Sequence, residues 1–286
     1  KFSFEKIRQI YIALKRNKNF GSIVDIRAKN LPKIDIFTYS FPCTDLSTIG
    51  NQAGLEIGTR SGLLWEVKRV LSELKLLKRL PKYLLMENVK NLFSSNHVDG
   101  WNIFASFLES LGYKNSIMVL NAKEFGIPQN RERAFCISEL NGTDEIIVEA
   151  KNSSVNIHDF LDLNNDSLIE EYKEVLPKNT ASRVKWISKS KHLNNMSHCM
   201  TITTKQDRWP NAGILFCDVN GKLIDNNNDW NINKDKACYR FLTPREQLLL
   251  MGFESNSYDK LKNLGMPKTK IQLMAGNSIV VSKLEA

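Results

Sequence analysis

IDIFTYSFPCTDLS, residues 34–47, is the stretch on which the reading of the whole chain turns. Its first seven residues are an apolar, β-branched and aromatic run of the kind that fills a buried strand, and a proline follows two residues later. Cys43 comes directly after that proline, on the turn beyond the strand. A thiol there is exposed and close to a helix start, which suits a nucleophile. Residue type alone favours the other reading, a small buried side chain, because free cysteine is among the most buried residue types.

The flanking sequence decides between them. Upstream, residues 4–19 read as a basic amphipathic helix with Phe4, Ile7, Ile10, Tyr11 and Leu14 at helical spacing, and SIVDI reads as a second short buried strand. Downstream, the glycine-spaced stretch GNQAGLEIGTRSG leads into a helix, GLLWEVKRVLSELKLLKRL. The strand YLLMENV, the helix WNIFASFLESLG and the strands YKNSIMVL and RAFCIS follow. Strands alternating with helices of this length predict an α/β fold, a mainly parallel sheet with helices on both faces.

In such sheets the working residues gather at the carboxyl ends of the strands. Cys43 and Glu87 each hold that place on strands joined by one crossover helix, so the two are expected to lie close together. An acid at the end of a buried strand costs stability unless it is paired or used; capping a neighbouring helix is the alternative use for Glu87. PQNRERAF then sets Arg131 and Arg133 on alternate residues as a strand begins, so that both can point to one side.

From about residue 139 the alternation gives way to Asn-, Asp- and Lys-rich sequence with short strand-like pieces such as CMTITT and AGILFCDV. The expected division is a large domain at 1–138, a smaller irregular one at 139–236, and a return to the large domain at 237–286. That last part holds a well-signalled helix, LTPREQLLLMGF, with Thr243 as N-cap and Pro244 at its first position.

Composition narrows the function. The net charge of +9 favours an acidic partner, although surplus lysine also keeps proteins soluble. Residues 178–210 carry seven Lys or Arg against one acid, whereas residues 139–174 carry ten acids against two bases. A nucleic acid would meet the first stretch and avoid the second. The five cysteines are odd in number and form no CxxC pair, and the four histidines show no metal-ligand spacing with them, so reduced thiols and no metal are expected. The apolar stretches are too short to span a bilayer and the first residues carry no signal-peptide pattern, which makes a cytoplasmic protein without a membrane partner the expectation.

FPCTDLS, MENVKN, QNRERAF, YRFLTPRE with LLLMGF, and AGNSIVV resemble, in this order and at approximately this spacing, the signature blocks of the DNA cytosine-5 methyltransferases of bacterial modification systems. The resemblance runs from about residue 25 to the end of the chain. It implies a Rossmann-like S-adenosylmethionine-dependent methyltransferase fold with a smaller, irregular target-recognition domain. The substrate it implies is double-stranded DNA, with the target cytosine flipped out of the stack. Cytosine is a poor nucleophile at C5, so the Cys43 thiolate would add to C6 and make C5 enamine-like. Glu87 would hold or protonate N3, a role for a carboxyl whose pKa is raised by burial. Arg131 and Arg133 would bind the base and position Cys43 and Glu87. Positive charge from Arg133 or a helix N-terminus would help to ionise the thiol.

By the same resemblance the loop at 44–62 would close over the flipped base, though glycines at 50, 54, 58 and 62 also suit a small-residue helix face. Ser47 would contact DNA beside that base. Thr201 matches a DNA-contacting threonine of the family, and Lys205, Gln206 and Arg208 would read bases or phosphates. Asp25 and Ile26 match the block that contacts the cofactor's adenine; Pro42, Leu63, Asn277 and Ser278 match further cofactor positions. The family's first strand, its glycine turn and its ribose-binding acid have no counterpart, so the chain is expected to be a segment of a longer protein or one part of a split enzyme, partnered by the missing segment or a complementing subunit. Micromolar S-adenosylmethionine binding by this chain alone would overturn that expectation. Two other functions stay open from the sequence: a catalytically silent DNA-binding or regulatory homologue, and a tRNA cytosine-5 methyltransferase.

Overall fold

The computed structural model describes residues 20–41, 63–95, 97–150, 155–161, 165–177, 190–205, 210–223 and 238–286. The helix expected at 4–19, the residues Pro42, Cys43 and Ser47, the loop at 44–62, and Gln206 and Arg208 lie outside the described residues. In chain order the elements are β1 (Ile36–Ser40), α1 (Leu64–Leu76), β2 (Tyr83–Val89), α2 (Val98–Ser110), β3 (Tyr113–Asn121), β4 (Gln129–Asn130), β5 (Glu132–Leu140), α3 (Ile169–Lys173), β6 (Cys199–Met200), β7 (Leu215–Cys217), β8 (Cys238–Arg240), α4 (Pro244–Leu249), α5 (Ser257–Asn263), α6 (Lys268–Asn277) and α7 (Val281–Leu284). Packing divides the chain into two compact units, residues 1–118 with 134–146, and residues 119–133 with 147–286.

The first unit is built on a sheet of order β1-β2-β5-β3. β1 and β2 are parallel, in register from Ile36 opposite Tyr83 to Ser40 opposite Glu87. The end of β5 meets the starts of its neighbours, Leu140 N–H donating to Lys82 O and Asn141 N–H to Gly112 O, so β5 runs against both. Helical spacing puts Leu64, Val67, Val70, Leu71 and Leu74 of α1 on one buried face, and Trp101, Phe104 and Leu108 of α2 on another. They close over Leu84 and Met86 of β2, with the Phe104 ring against Tyr39 and Trp101.

SIVDI, expected as a strand, forms a 3-10 turn at Ile23–Asp25. Side chains of α1 take the place of a strand neighbour: Arg69 donates to Ile23 O (2.9 Å) and Ile26 O (3.0 Å), and Glu73 accepts from Ala28 N–H (2.8 Å). The Ala28 N–H and the Arg69 guanidinium hold the Glu73 carboxyl below its ordinary pKa.

The second unit has two short sheets, β4 with β6 in parallel and β7 with β8 antiparallel. Its core joins Cys199, Ile202 and Leu215 to Leu248, Ile271 and Val280. The chain passes between the units inside β3 and β5.

α4 begins as its sequence predicts, with Glu246 N–H donating to Thr243 Oγ1 and Thr243 N–H to the Glu246 carboxylate. Glu246 is also the fully buried partner of Arg240, whose two terminal nitrogens each lie 2.7 Å from a carboxylate oxygen. Arg240 Nε donates to Gly221 O, and the guanidinium stacks on Tyr172 at 4.6 Å. Gly221 has φ +82°, and a Cβ there would collide with that of Tyr172. Glu246→Ala leaves a buried guanidinium without its counter-charge, a loss of about 3–5 kcal/mol. Urea unfolding checks this; a cost under about 1 kcal/mol would mean that the pair contributes little to the unit.

Candidate active site

Parallel pairing brings the carboxyl ends of β1 and β2 together. Ser40 lies opposite Glu87, and its Oγ donates to Glu87 Oε2 at 3.4 Å. Glu87 is half-buried, less enclosed than an acid ending a fully buried strand. Asn88, which sequence reasoning missed, is only 2% exposed. Its Nδ2 donates to Phe41 O and its Oδ1 accepts from Val89 N–H, which ties the chain leaving β1 to the end of β2 two residues before Cys43. The available signal was an amide in phase with Leu84 and Met86 on the buried face of the strand.

The arginine block belongs to the second unit. Arg131 is 2% exposed. Its guanidinium donates to Ile202 O (2.8 Å), Gly276 O (2.9 Å) and Ser278 O (2.8 Å). Its carbonyl accepts from Ala122 N–H and from Lys283 Nζ. Arg133 is half-buried, with Nη1 donating to Glu132 O. The block's position is set by polar contacts beyond its two arginines. Gln129 Nε2 donates to Leu250 O and its Oε1 accepts from Ile202 N–H. Thr201 Oγ1 donates to Asn130 O at 2.8 Å, so the hydroxyl expected to meet DNA spends its proton on β4. Lys205 is exposed.

Of the expected cofactor positions, Asp25 is exposed on the 3-10 turn and Ile26 is half-buried against the first core. Leu63 precedes α1 as its N-cap. Asn277 ends α6 and Ser278 follows it, Ser278 Oγ donating to Met274 O. The helix end is drawn tight at Gly276, where a Cβ would come within 2.5 Å of the Thr203–Thr204 backbone.

Cys136, Cys199 and Cys217 are buried free thiols. Burial pushes Cys136 up to about 11 and Cys199 up to about 12, so neither is disposed to ionise near neutrality. Because the folded values lie above the unfolded one, the unfolded chain releases these protons first as pH rises, and stability is lost from about pH 9 upward. The slope approaches about 1.4 kcal/mol per pH unit for each thiol. Urea midpoints measured in reductant from neutral pH upward should stay level and then fall, and Cys199→Ala should flatten the fall; a flat wild-type profile to about pH 10.5 would contradict the burial argument. Among the described residues no group of three or more His, Cys, Asp and Glu side chains is placed to hold a metal, and no helix is long and apolar enough to cross a membrane.

The model of the family C-5 cytosine-specific DNA methylase matches residues 3–286. The type II methyltransferase M2.ScrFI of Lactococcus lactis subsp. cremoris is 41% identical over 290 residues, covering 100% of this chain and 74% of the relative. The orphan methyltransferase M.SssI of Spiroplasma monobiae is 34% identical over 297 residues, covering 99% and 72%. Among solved structures, the Entamoeba histolytica methyltransferase EhMeth superposes with TM-score 0.69 at 18% identity, over 97% of this chain and 84% of that one. The S. pombe Dnmt2 methyltransferase gives 0.67 at 21% identity, over 93% and 80%. These two likenesses show the methyltransferase fold, and the motif blocks, the full-length family match and the relatives together place this chain in the C-5 cytosine-specific DNA methylase family.

Proposed function

We propose that this family member methylates C5 of a cytosine flipped out of duplex DNA, through a transient bond between Cys43 and C6 of the base. The observation that carries the reading is the register of β1 on β2, which puts Glu87 beside the strand end that leads into Cys43. The thiolate adds to C6, electron density moves to C5, and Glu87 hydrogen-bonds or protonates N3 so that the ring accepts the charge. Once C5 carries the methyl group, its proton is lost to solvent and the electron pair of that C–H bond restores the C5–C6 double bond as the Cys43–C6 bond breaks, returning the aromatic ring and the thiolate. The two buried thiols whose pKa is raised, Cys136 and Cys199, are unsuited to the role.

The donor set also fits the methyl donor of the family. Asp25 offers an exposed acceptor beside the half-buried apolar side chain of Ile26, a pairing suited to the amine and ring face of an adenine. S-adenosylmethionine supplies the electrophilic methyl group when bound, and Asp25, Ile26, Pro42, Leu63, Asn277 and Ser278 are the residues that would hold it. Lys205, with Ser47, Thr201, Gln206 and Arg208, would meet the duplex. Arg131, closed in by carbonyls, holds the block in place, and Arg133 is the arginine that meets the base.

The test is a duplex carrying 5-fluorocytosine, incubated with the protein and S-adenosylmethionine. Fluorine does not leave C5 as a proton does, so the covalent complex should persist in denaturant with the summed mass. No complex and no label transfer to ordinary duplex would support a silent DNA-binding homologue; label transfer to tRNA in preference to duplex would move the substrate. The family description and the names of the relatives favour DNA.

A further inference from the structure

We infer that Lys283 is a positioning residue for the reaction: it fixes the start of β5 and so aims Arg133, an assignment that rests on the function proposed above. Lys283 is 5% exposed, although it lies on the short helix α7 near the end of the chain. An ammonium is costly to bury unless its protons are satisfied. Its Nζ donates to Leu120 O and Arg131 O, each at 2.7 Å. These carbonyls stand where β3 ends and just before β5 begins, so one ammonium bridges the two strands at their junction.

Ala122 N–H donates to the same Arg131 carbonyl at 3.1 Å, which gives that oxygen two donors and fixes the orientation of its peptide. At its other end Arg131 is held by the carbonyls of Ile202, Gly276 and Ser278. Arg131 is thus pinned at backbone and side chain alike. Arg133 follows two residues later, at the start of β5, and inherits its placement from that anchor. The lysine is itself delivered from a fixed base, because Val281 N–H donates to the carbonyl of the buried Met251 at 3.1 Å. An apolar residue at 283 would leave both Leu120 O and Arg131 O without this donor.

The experiment compares Lys283→Met, Lys283→Arg and, as a destabilised control on the same core, Val280→Ala; Val280 is buried and makes none of these bonds. Each protein is assayed well below its own unfolding midpoint. Lys283→Met should lower kcat by about 10- to 100-fold while KM for duplex stays within about threefold, since an arginine misplaced by part of an ångström fails in the transition state before it fails in binding. Lys283→Arg, which keeps charge and donors, should recover most of the loss. Val280→Ala should keep kcat within about twofold.

Unchanged kcat in Lys283→Met, or an equal loss in Val280→Ala, would overturn the assignment and leave the lysine a stabilising side chain only. Amide exchange gives a readout that needs no turnover. Faster exchange confined to residues 120–133 in Lys283→Met and absent from Val280→Ala supports the anchor, whereas uniform loosening in both sinks it. A wild-type protein that transfers no methyl group would refute the proposed function, and the exchange comparison would still decide whether Lys283 holds the block.

Discussion

Replacing Cys43 by alanine is expected to reduce methyl transfer to duplex DNA by at least about 10³-fold, with duplex binding changed only a few-fold. The size follows from the substrate. Without addition at C6 the ring stays aromatic and C5 has no enamine character, so the remaining groups hold a base that does not react. For the same reason the effects are not additive, and a second change at Glu87 should cost little more once the thiol is gone. Cys43→Ser should fail almost as completely, because a hydroxyl is far less ionised than a thiol near neutral pH. The trapping experiment separates chemistry from binding: both variants should bind 5-fluorocytosine duplex and neither should form the complex that survives denaturant. A serine variant that traps as well as the parent would move the nucleophile elsewhere, and Cys136 and Cys199, buried and raised in pKa, are poor replacements.

What the sequence disclosed and what it hid differ in range. YLLMENV became β2 over the same seven residues, because a short apolar run with alternating burial specifies a strand locally. The Thr243 cap formed as read because its partner, Glu246, is three residues away. SIVDI failed because two of its carbonyls are taken by Arg69, more than forty residues downstream. The partners of the arginine block lie at the same kind of range: the carbonyls that close in Arg131 come from positions 71 to 147 residues away, and no spacing of two arginines announces them. Gln129 and Asn88 lie inside quoted blocks without a role read for them, and Lys283 lies outside every block. Each is a polar residue whose partner is main chain, the kind of contact that composition and periodicity do not encode. The two parallel strands that lead towards Cys43 and carry Glu87 were legible; the distant main-chain contacts that hold Asn88, Gln129 and Arg131 were not.

Glu87→Gln should lower kcat by about 10²- to 10⁴-fold, the range for losing a proton-transferring group, with KM for duplex nearly unchanged. Glutamine keeps the size of the side chain and can still accept from Ser40 Oγ, so the strand end should hold its form. What it cannot do is give up a proton to N3 and take it back. If Glu87 serves only to tie β2 to β1, Glu87→Gln should be nearly as active as the parent, and Ser40→Ala should do as much harm. The 3.4 Å bond argues against that role, because a contact at that distance is weak. Ser40→Ala is therefore expected to cost no more than a few-fold. Trapping adds a second axis: Glu87→Gln should still reach the covalent complex with 5-fluorocytosine duplex, but slowly, because the thiol is intact and the ring is less ready to accept it. Cys43→Ala should never reach it. That ordering, slow against never, distinguishes a group that polarises the base from the one that bonds to it.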